Sequence, residues 1–316
     1  MKIAFNKKIV DGPWGGGNQM ALLLKSYFIR RDYEVTFSLQ DNPDIVVVWD
    51  VKDSSCSFSM DELHSYKIKS GCRVVHRVND NGSHRGSNTG HRSDKRMMDI
   101  NKLLADETIF ISKWLKDYYE DRGLVVSGAN IIPNGTDRGR FFPTEFVRRK
   151  ETEPIRVFTH HWSNNMAKGY ETYRQLNDFC IKNPSVASFT FMGNRPPGYL
   201  DNASYIKPQP YIEIPKYLQQ HDAYITATQF ESGGCHIIEG MACGLIPIVR
   251  KGGGGVEEYA KGYASYYDSP EQVFETLIKM RNDYSHYIGL ANNIRDNYTY
   301  GTKEMCKDYL DIIIGK

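Results

Sequence analysis

The chain lacks any stretch approaching the ~20 consecutive apolar residues of a membrane-spanning helix. No charged-then-apolar leader is expected either, since Met1 is followed directly by the strand-like Lys-Ile-Ala-Phe5. Six cysteines (Cys56, Cys72, Cys180, Cys235, Cys243, Cys306) form no Cys-x-x-Cys and no regular framework. That usage points to reduced thiols rather than disulfides or zinc. Nine histidines show no His-Glu-x-x-His spacing, and Asp-x-Asp occurs nowhere. Charge of one sign is missing too: 40 basic against 38 acidic residues leave +2, too little for a nucleic-acid-binding face. Arg148-Arg149-Lys150 and His91-Arg92 read as solvated surface. The expectation is a cytoplasmic protein without metal, cofactor or nucleic-acid partner; peripheral association with a membrane surface stays open, as does the oligomeric state.

What is present is alternation. At 316 residues the chain exceeds one compact domain, and short apolar strands alternate with amphipathic helices, the pattern of parallel α/β sheets. Lys2–Phe5 reads as a first strand, followed by the glycine loop Asp11–Gly17 and a helix near 18–31. Strands at 34–39, 44–50 and 72–77, a long polar loop at 79–93, a helix at 94–105, a strand at 108–111 and a helix at 113–121 complete the first half. Residues 134–154 read as a linker, after which alternation restarts at Ile155 and ends in a helix at 302–314. Domains of 1–150 (with the C-terminal helix, 300–316) and 151–299 are expected. Two such halves put a cleft between the carboxyl ends of two sheets.

The most informative stretch is Tyr224-Ile-Thr-Ala-Thr-Gln-Phe-Glu231-Ser-Gly-Gly-Cys-His-Ile-Ile-Glu239-Gly-Met-Ala-Cys-Gly244-Leu-Ile-Pro-Ile-Val249. Its pattern is strand, glycine loop, helix, glycine cap, strand. Amides at Gly233–His236 sit where the helix begins and can face an anion. Glu231 and Glu239 can accept hydrogen bonds from paired hydroxyls. Phosphate on amides with sugar hydroxyls on acids fits a nucleotide sugar.

Glu-x7-Glu, then Met-Ala-Cys-Gly and the Gly254-Gly255-Val256-Glu257-Glu258 that follows, resembles the family 4 retaining glycosyltransferases of GT-B fold. Ile111-Ser112-Lys-Trp-Leu-Lys, Ile132-Pro133-Asn134-Gly135-Thr-Asp137, Lys168-Gly169 and the Gly15–Gly17 loop agree in order. The resemblance implies two Rossmann-like domains facing across a cleft, with the last helix crossing back to the first domain, which would carry the acceptor. It implies a UDP- or GDP-type sugar donor and a glycan, lipid or small-molecule acceptor. Glu239 would bind ribose hydroxyls, and Glu231, Ser232, Gly233, Gly234, Cys235 and His236 the donor sugar and phosphate. Lys168 would neutralise the diphosphate, Glu258 support the pocket, and Gly16 and Gly17 approach phosphate or acceptor. His76 resembles the family's cleft histidine; the competing reading is a satisfied strand histidine.

The sequence departs from the family where an arginine is common: Ser163 stands five residues before Lys168, in His160-His161-Trp-Ser-Asn-Asn-Met-Ala-Lys168. Leaving-group stabilisation then rests on Lys168, with Arg195 or His161 assisting. His160 and His161 read as structural or phosphate-adjacent, and Cys235 and Cys243 as packing residues. The implied reaction is same-face sugar transfer that retains configuration and needs no metal. A nucleotide-sugar epimerase, a phosphorylase of the same plan and a non-catalytic nucleotide-sugar-binding module are the alternatives.

Overall fold

A computed structural model describes residues 1–10, 16–83, 90–124, 126, 128–144 and 150–315. Asp11–Gly15, most of the 79–93 loop's tip, and Arg148 and Arg149 lie outside the described residues. The chain divides into two compact units, Met1–Asn134 with Thr302–Lys316, and Gly135–Gly301.

The first unit runs β1 (Lys2–Phe5), α1 (Gly16–Ile29), β2 (Glu34–Thr36), β3 (Ile45–Val48), α2 (Met60–Ser70), β4 (Arg73–Val78), α3 (Gly90–Leu104), β5 (Glu107–Phe110), α4 (Lys113–Glu120) and β6 (Asn130–Ile131). Its sheet has the order β2-β1-β3-β4-β5-β6, and every pairing is parallel. β3, Ile-Val-Val-Val, is buried at every position, as a strand covered on both faces must be. α1 buries Met20, Ala21, Leu24, Tyr27 and Phe28, one stripe at helical spacing.

The second unit runs β7 (Ile155–His161), α5 (Tyr170–Lys182), β8 (Ala187–Gly193), β9 (Ser204–Ile206), α6 (Ile214–Leu218), β10 (Ala223–Thr226), α7 (Cys235–Ala242), β11 (Ile246–Arg250), α8 (Gly255–Tyr259), β12 (Ser265–Tyr267), α9 (Pro270–Asn282) and α10 (Tyr284–Asn297). Its sheet is again parallel, in the order β12-β11-β10-β7-β8-β9. The chain ends in α11 (Thr302–Ile314), which packs on α1 and buries Met305, Tyr309, Leu310 and Ile313 in the first unit. The C-terminal helix therefore returns to the first sheet as expected.

Three findings differ from the sequence reading. Residues 134–154 do not behave throughout as a linker. Phe141 is fully buried in the second unit's core with Phe158, Tyr224 and Ile238, and Gln219 Nε2 donates to Phe142 O at 3.0 Å. The polar loop ends early, because α3 begins at Gly90. Asp94 draws the chain in, accepting from Gly82 N (2.6 Å), Ser83 N (3.0 Å) and the hydroxyls of Tyr118 and Tyr119. A Cβ on Gly90 would stand 2.0 Å from Gly82 O, so the two strands of the loop meet only through glycine. Finally, β6, β9 and β12, which no periodicity announces, all lie at sheet edges and span two or three residues.

Candidate functional site

In the second sheet β8 and β9 extend to one side of β7, and β10, β11 and β12 to the other. The direction of strand addition reverses between β7 and β10, and ligands of open α/β sheets bind beyond the carboxyl ends at that point. His160 and His161 close β7, the segment Trp162–Gly169 follows, and Ala227–Gly234 connects β10 to α7.

Backbone contacts force these two loops together. Gln229 N donates to Ala167 O at 2.9 Å. Gly169 has φ 81°, and a Cβ there would stand 2.3 Å from Ala227 O, so only glycine lets the Lys168 turn approach β10. Glu231 is held on its other side: its N donates to Gly253 O (2.8 Å), and Gly255 N donates to its carbonyl (2.7 Å). Phe230, immediately before it, takes the left-handed φ of 55° that bulky residues avoid. With both loops fixed, the Lys168 ammonium and the Glu231 carboxylate meet in an ion pair, both side chains mostly buried.

A second pair lies on α7. Glu239, 5% exposed, places Oε2 at 2.8 Å from His160 Nε2. Tyr224, from β10, puts its hydroxyl 3.1 Å from both His160 N and Nδ1, fixing the ring. His161 Nε2 lies 2.7 Å from the Tyr173 hydroxyl, which itself accepts from Ala227 N at 2.9 Å. His236, in the first turn of α7, meets Thr226 Oγ1 at 3.1 Å through Nε2, and its ring crosses that of His161 at a centroid distance of 4.9 Å. The three histidines thus share one wall.

Burial first, then the Lys168 cation, push His236 down to about 3. Burial, followed by His236 and Lys168, holds His161 well below the ordinary histidine value. Both rings are neutral at physiological pH, and Lys168 is the fixed positive charge. It stands beside the first turn of α7, whose amides have no partners within the helix and carry the positive end of its dipole. The arrangement can hold an anion at Lys168 and α7, and hydroxyls at the two carboxylates.

The other expected residues are distributed as follows. Ser232 is buried, and Gly233, Cys235 and His236 are half-buried. Gly234 caps α7, where a Cβ would stand 2.4 Å from His236 Cε1. Ser163 spends its hydroxyl on Asn165 N (3.1 Å), shaping the turn to Lys168. Arg195 is turned toward its own loop: it donates to Tyr199 O (3.1 Å) and Leu200 O, pairs with Asp201 (3.3 Å) and covers the Tyr205 ring. Glu258 lies exposed on α8. Gly16 and Gly17 open α1, and Gly17 O accepts from Trp49 Nε1 at 3.1 Å. His76 sits within β4, not at its end, and is 1% exposed; Asn101 Nδ2 meets its Nδ1 at 3.0 Å, and burial lowers its pKa to about 4. These are the features of a packed neutral histidine.

Sequence reasoning missed the partnership of His160 with Glu239, 79 residues apart, and the tyrosines that orient the histidines. The available signal was the His160-His161 doublet ending a buried strand.

Residues 198–297 match the family model described as "Glycosyl transferases group 1". No curated protein matches the chain in sequence. Among solved structures, Anabaena Alr3699/HepE in complex with UDP and glucose is similar, with TM-score 0.76 and 13% identity over 100% of both chains. Sucrose-phosphate synthase from Thermosynechococcus elongatus (TM-score 0.70, 14% identity) and WaaG, a glycosyltransferase involved in lipopolysaccharide biosynthesis (0.70, 14%), also match over 100% of both chains. At these identities the likeness establishes the fold: two parallel-sheet α/β units, the GT-B class.

Proposed function

We propose that this chain is a retaining glycosyltransferase that moves a sugar from a nucleoside diphosphate donor to a glycan, lipid or small-molecule acceptor without a metal. The observation that carries the reading is the convergence of Lys168, Glu231, Glu239 and the first turn of α7 at the switch point of the second sheet. The group 1 match covers Glu231, Glu239 and α7 but not Lys168, and the similar Anabaena structure was crystallised with UDP and glucose.

In this reading the nucleoside ribose hydroxyls donate to Glu239, whose carboxylate His160 already orients. The diphosphate takes Lys168 and the α7 amides. Its arrival exchanges the Lys168–Glu231 pair for a Lys168–phosphate pair, and Glu231 is released to accept from donor-sugar hydroxyls. As the anomeric bond breaks, charge grows on the departing diphosphate, and a fixed ammonium beside helix amides stabilises it without reorganisation. The acceptor hydroxyl then attacks from the same face, losing its proton to the leaving phosphate. Ser163, engaged in a turn, supplies no charge there.

A panel of UDP- and GDP-sugars tests the reading, with released nucleotide as the readout and EDTA-treated enzyme in parallel. Slow nucleotide release that EDTA leaves unchanged supports it, and the anomeric configuration of the product tests retention. A sugar isomer as product points to an epimerase, and binding without turnover to a binding module.

A further inference from the structure

The first unit contains a charge that nothing among the described residues neutralises. Arg77 is 2% exposed and lies one residue from the carboxyl end of β4. Its Nε donates to the Tyr309 hydroxyl and its Nη2 to Asn134 Oδ1, both at 2.8 Å, while the guanidinium lies over the Trp49 ring at 4.1 Å. All three partners are neutral. Nη1 is buried with no hydrogen-bond partner, and among the described residues no carboxylate pairs with the guanidinium.

A buried cation without a counter-ion is among the most costly arrangements a fold can keep. Water could satisfy the hydrogen bonds of Nη1 but would leave the charge uncompensated. The placement is informative as well. In this sheet β2 lies on one side of β1 and β3 on the other, so the switch point falls between β1 and β3. Trp49 directly follows β3 and donates through Nε1 to Gly17 O in the first turn of α1, a helix of 14 residues. A Cβ on Gly17 would stand 3.8 Å from Trp49 Nε1 and 4.0 Å from Asn79 Nδ2. The orphan guanidinium edge, the indole and the positive end of α1 therefore belong to one region.

We propose that Arg77 is the anion receptor of the first unit, its free Nη1 edge binding a phosphate or carboxylate group of a ligand. Tyr309 and Asn134 are positioning residues, holding the planar fork through Nε and Nη2 and leaving Nη1 as its unpaired donor. The inference does not rest on the transferase reading, because it concerns only the binding of an anion to the first unit.

Inorganic phosphate is the probe, at constant ionic strength with chloride as the balancing anion. A Lys168→Ala background removes the second unit's own cation. In that background phosphate raises the melting temperature, and adding Arg77→Met abolishes the rise. Without phosphate, the Arg77→Met protein melts no lower than its parent, since methionine fills the space with no charge to desolvate. Arg77→Lys is the second variant: it keeps the charge but loses the fork, and the half-saturating phosphate concentration rises tenfold or more, about 1.4 kcal/mol. An equal phosphate-dependent rise with and without Arg77, or none in Lys168→Ala, overturns the proposal. UDP in the same background identifies the source. An Arg77-dependent rise with UDP at lower concentration than with phosphate assigns the anion to the nucleotide donor. A rise with phosphate but not with UDP assigns it to the other substrate. A failed turnover assay would leave the phosphate result standing, so the two readings fail separately.

Discussion

Two acids on the same short segment are given different work by their neighbours. Glu239 is oriented by the His160 ring, and Glu231 by a cation, Lys168. Glu239→Ala is therefore expected to weaken UDP or GDP binding by tenfold or more, about 1.4 kcal/mol, because in the proposed reading it removes the acceptor for ribose hydroxyls. Glu231→Ala should leave nucleotide affinity within a few-fold and depress turnover with the sugar nucleotide. Calorimetric titration with the free nucleotide beside steady-state kinetics separates the two, and the opposite pattern would remove the division of roles.

The depressed histidines make a prediction about stability. His76 at about 4 and His236 at about 3 are both lowered by burial, so the folded state binds fewer protons than the unfolded chain below the ordinary histidine value. Their contribution is fully present above pH ~6.5 and is lost as pH falls toward 4, each histidine adding a slope of up to about 1.4 kcal/mol per pH unit. Urea unfolding between pH 7 and 4.5 checks this. His76→Gln should flatten the dependence by about one proton, and an unchanged slope would mean that His76 is not held neutral.

At the scale of elements, the site depends on loops that glycine lets pass one another. Gly169→Ala meets both a positive φ and the carbonyl of Ala227, and is expected to cost about 1–3 kcal/mol of stability. Lys168 and Gln229 would move with the turn, so donor affinity should fall together with the melting temperature. Retained affinity would show that the Lys168 turn is not what brings the charge to α7. Helices and central strands were legible because burial imposes a period on them, as in β3 and α1. The edge strands β6, β9 and β12, of two or three residues each, left no such trace. α2 and α10 bury two and three residues respectively and also escaped notice, although Ser59 and Glu62 form a capping box that the Ser-x-x-Glu spacing announces.

For the molecule as a whole, α11 joins the first unit from the far end of the sequence. Besides its apolar face, it supplies the Tyr309 hydroxyl to Arg77 and the Ile312 carbonyl to Arg73 Nη2 (3.1 Å). Deleting residues 302–316 should expose α1 and deprive both arginines of an acceptor. Limited proteolysis of the truncated protein is expected to degrade residues 1–134 while leaving 135–301 protected. Even cleavage of both units would show that α11 does not stabilise the first one selectively.

The sequence by itself determined the class of fold and marked the segment on which the proposed function rests. Strand-helix alternation is a local consequence of burial, and Glu231, Glu239 and the glycines between them lie within one strand-loop-helix unit whose geometry is set over a few residues. The tertiary structure decided which charges meet. The Lys168–Glu231 pair, the His160–Glu239 pair and the Arg77–Tyr309 contact join residues far apart in the chain, through strand order and the close approach of glycines to carbonyls. Sequence pattern records which face of an element is buried, but not which neighbour it is buried against. It could therefore mark His76 and Arg195 as candidates without showing that one is enclosed in the first sheet and the other is turned into its own loop.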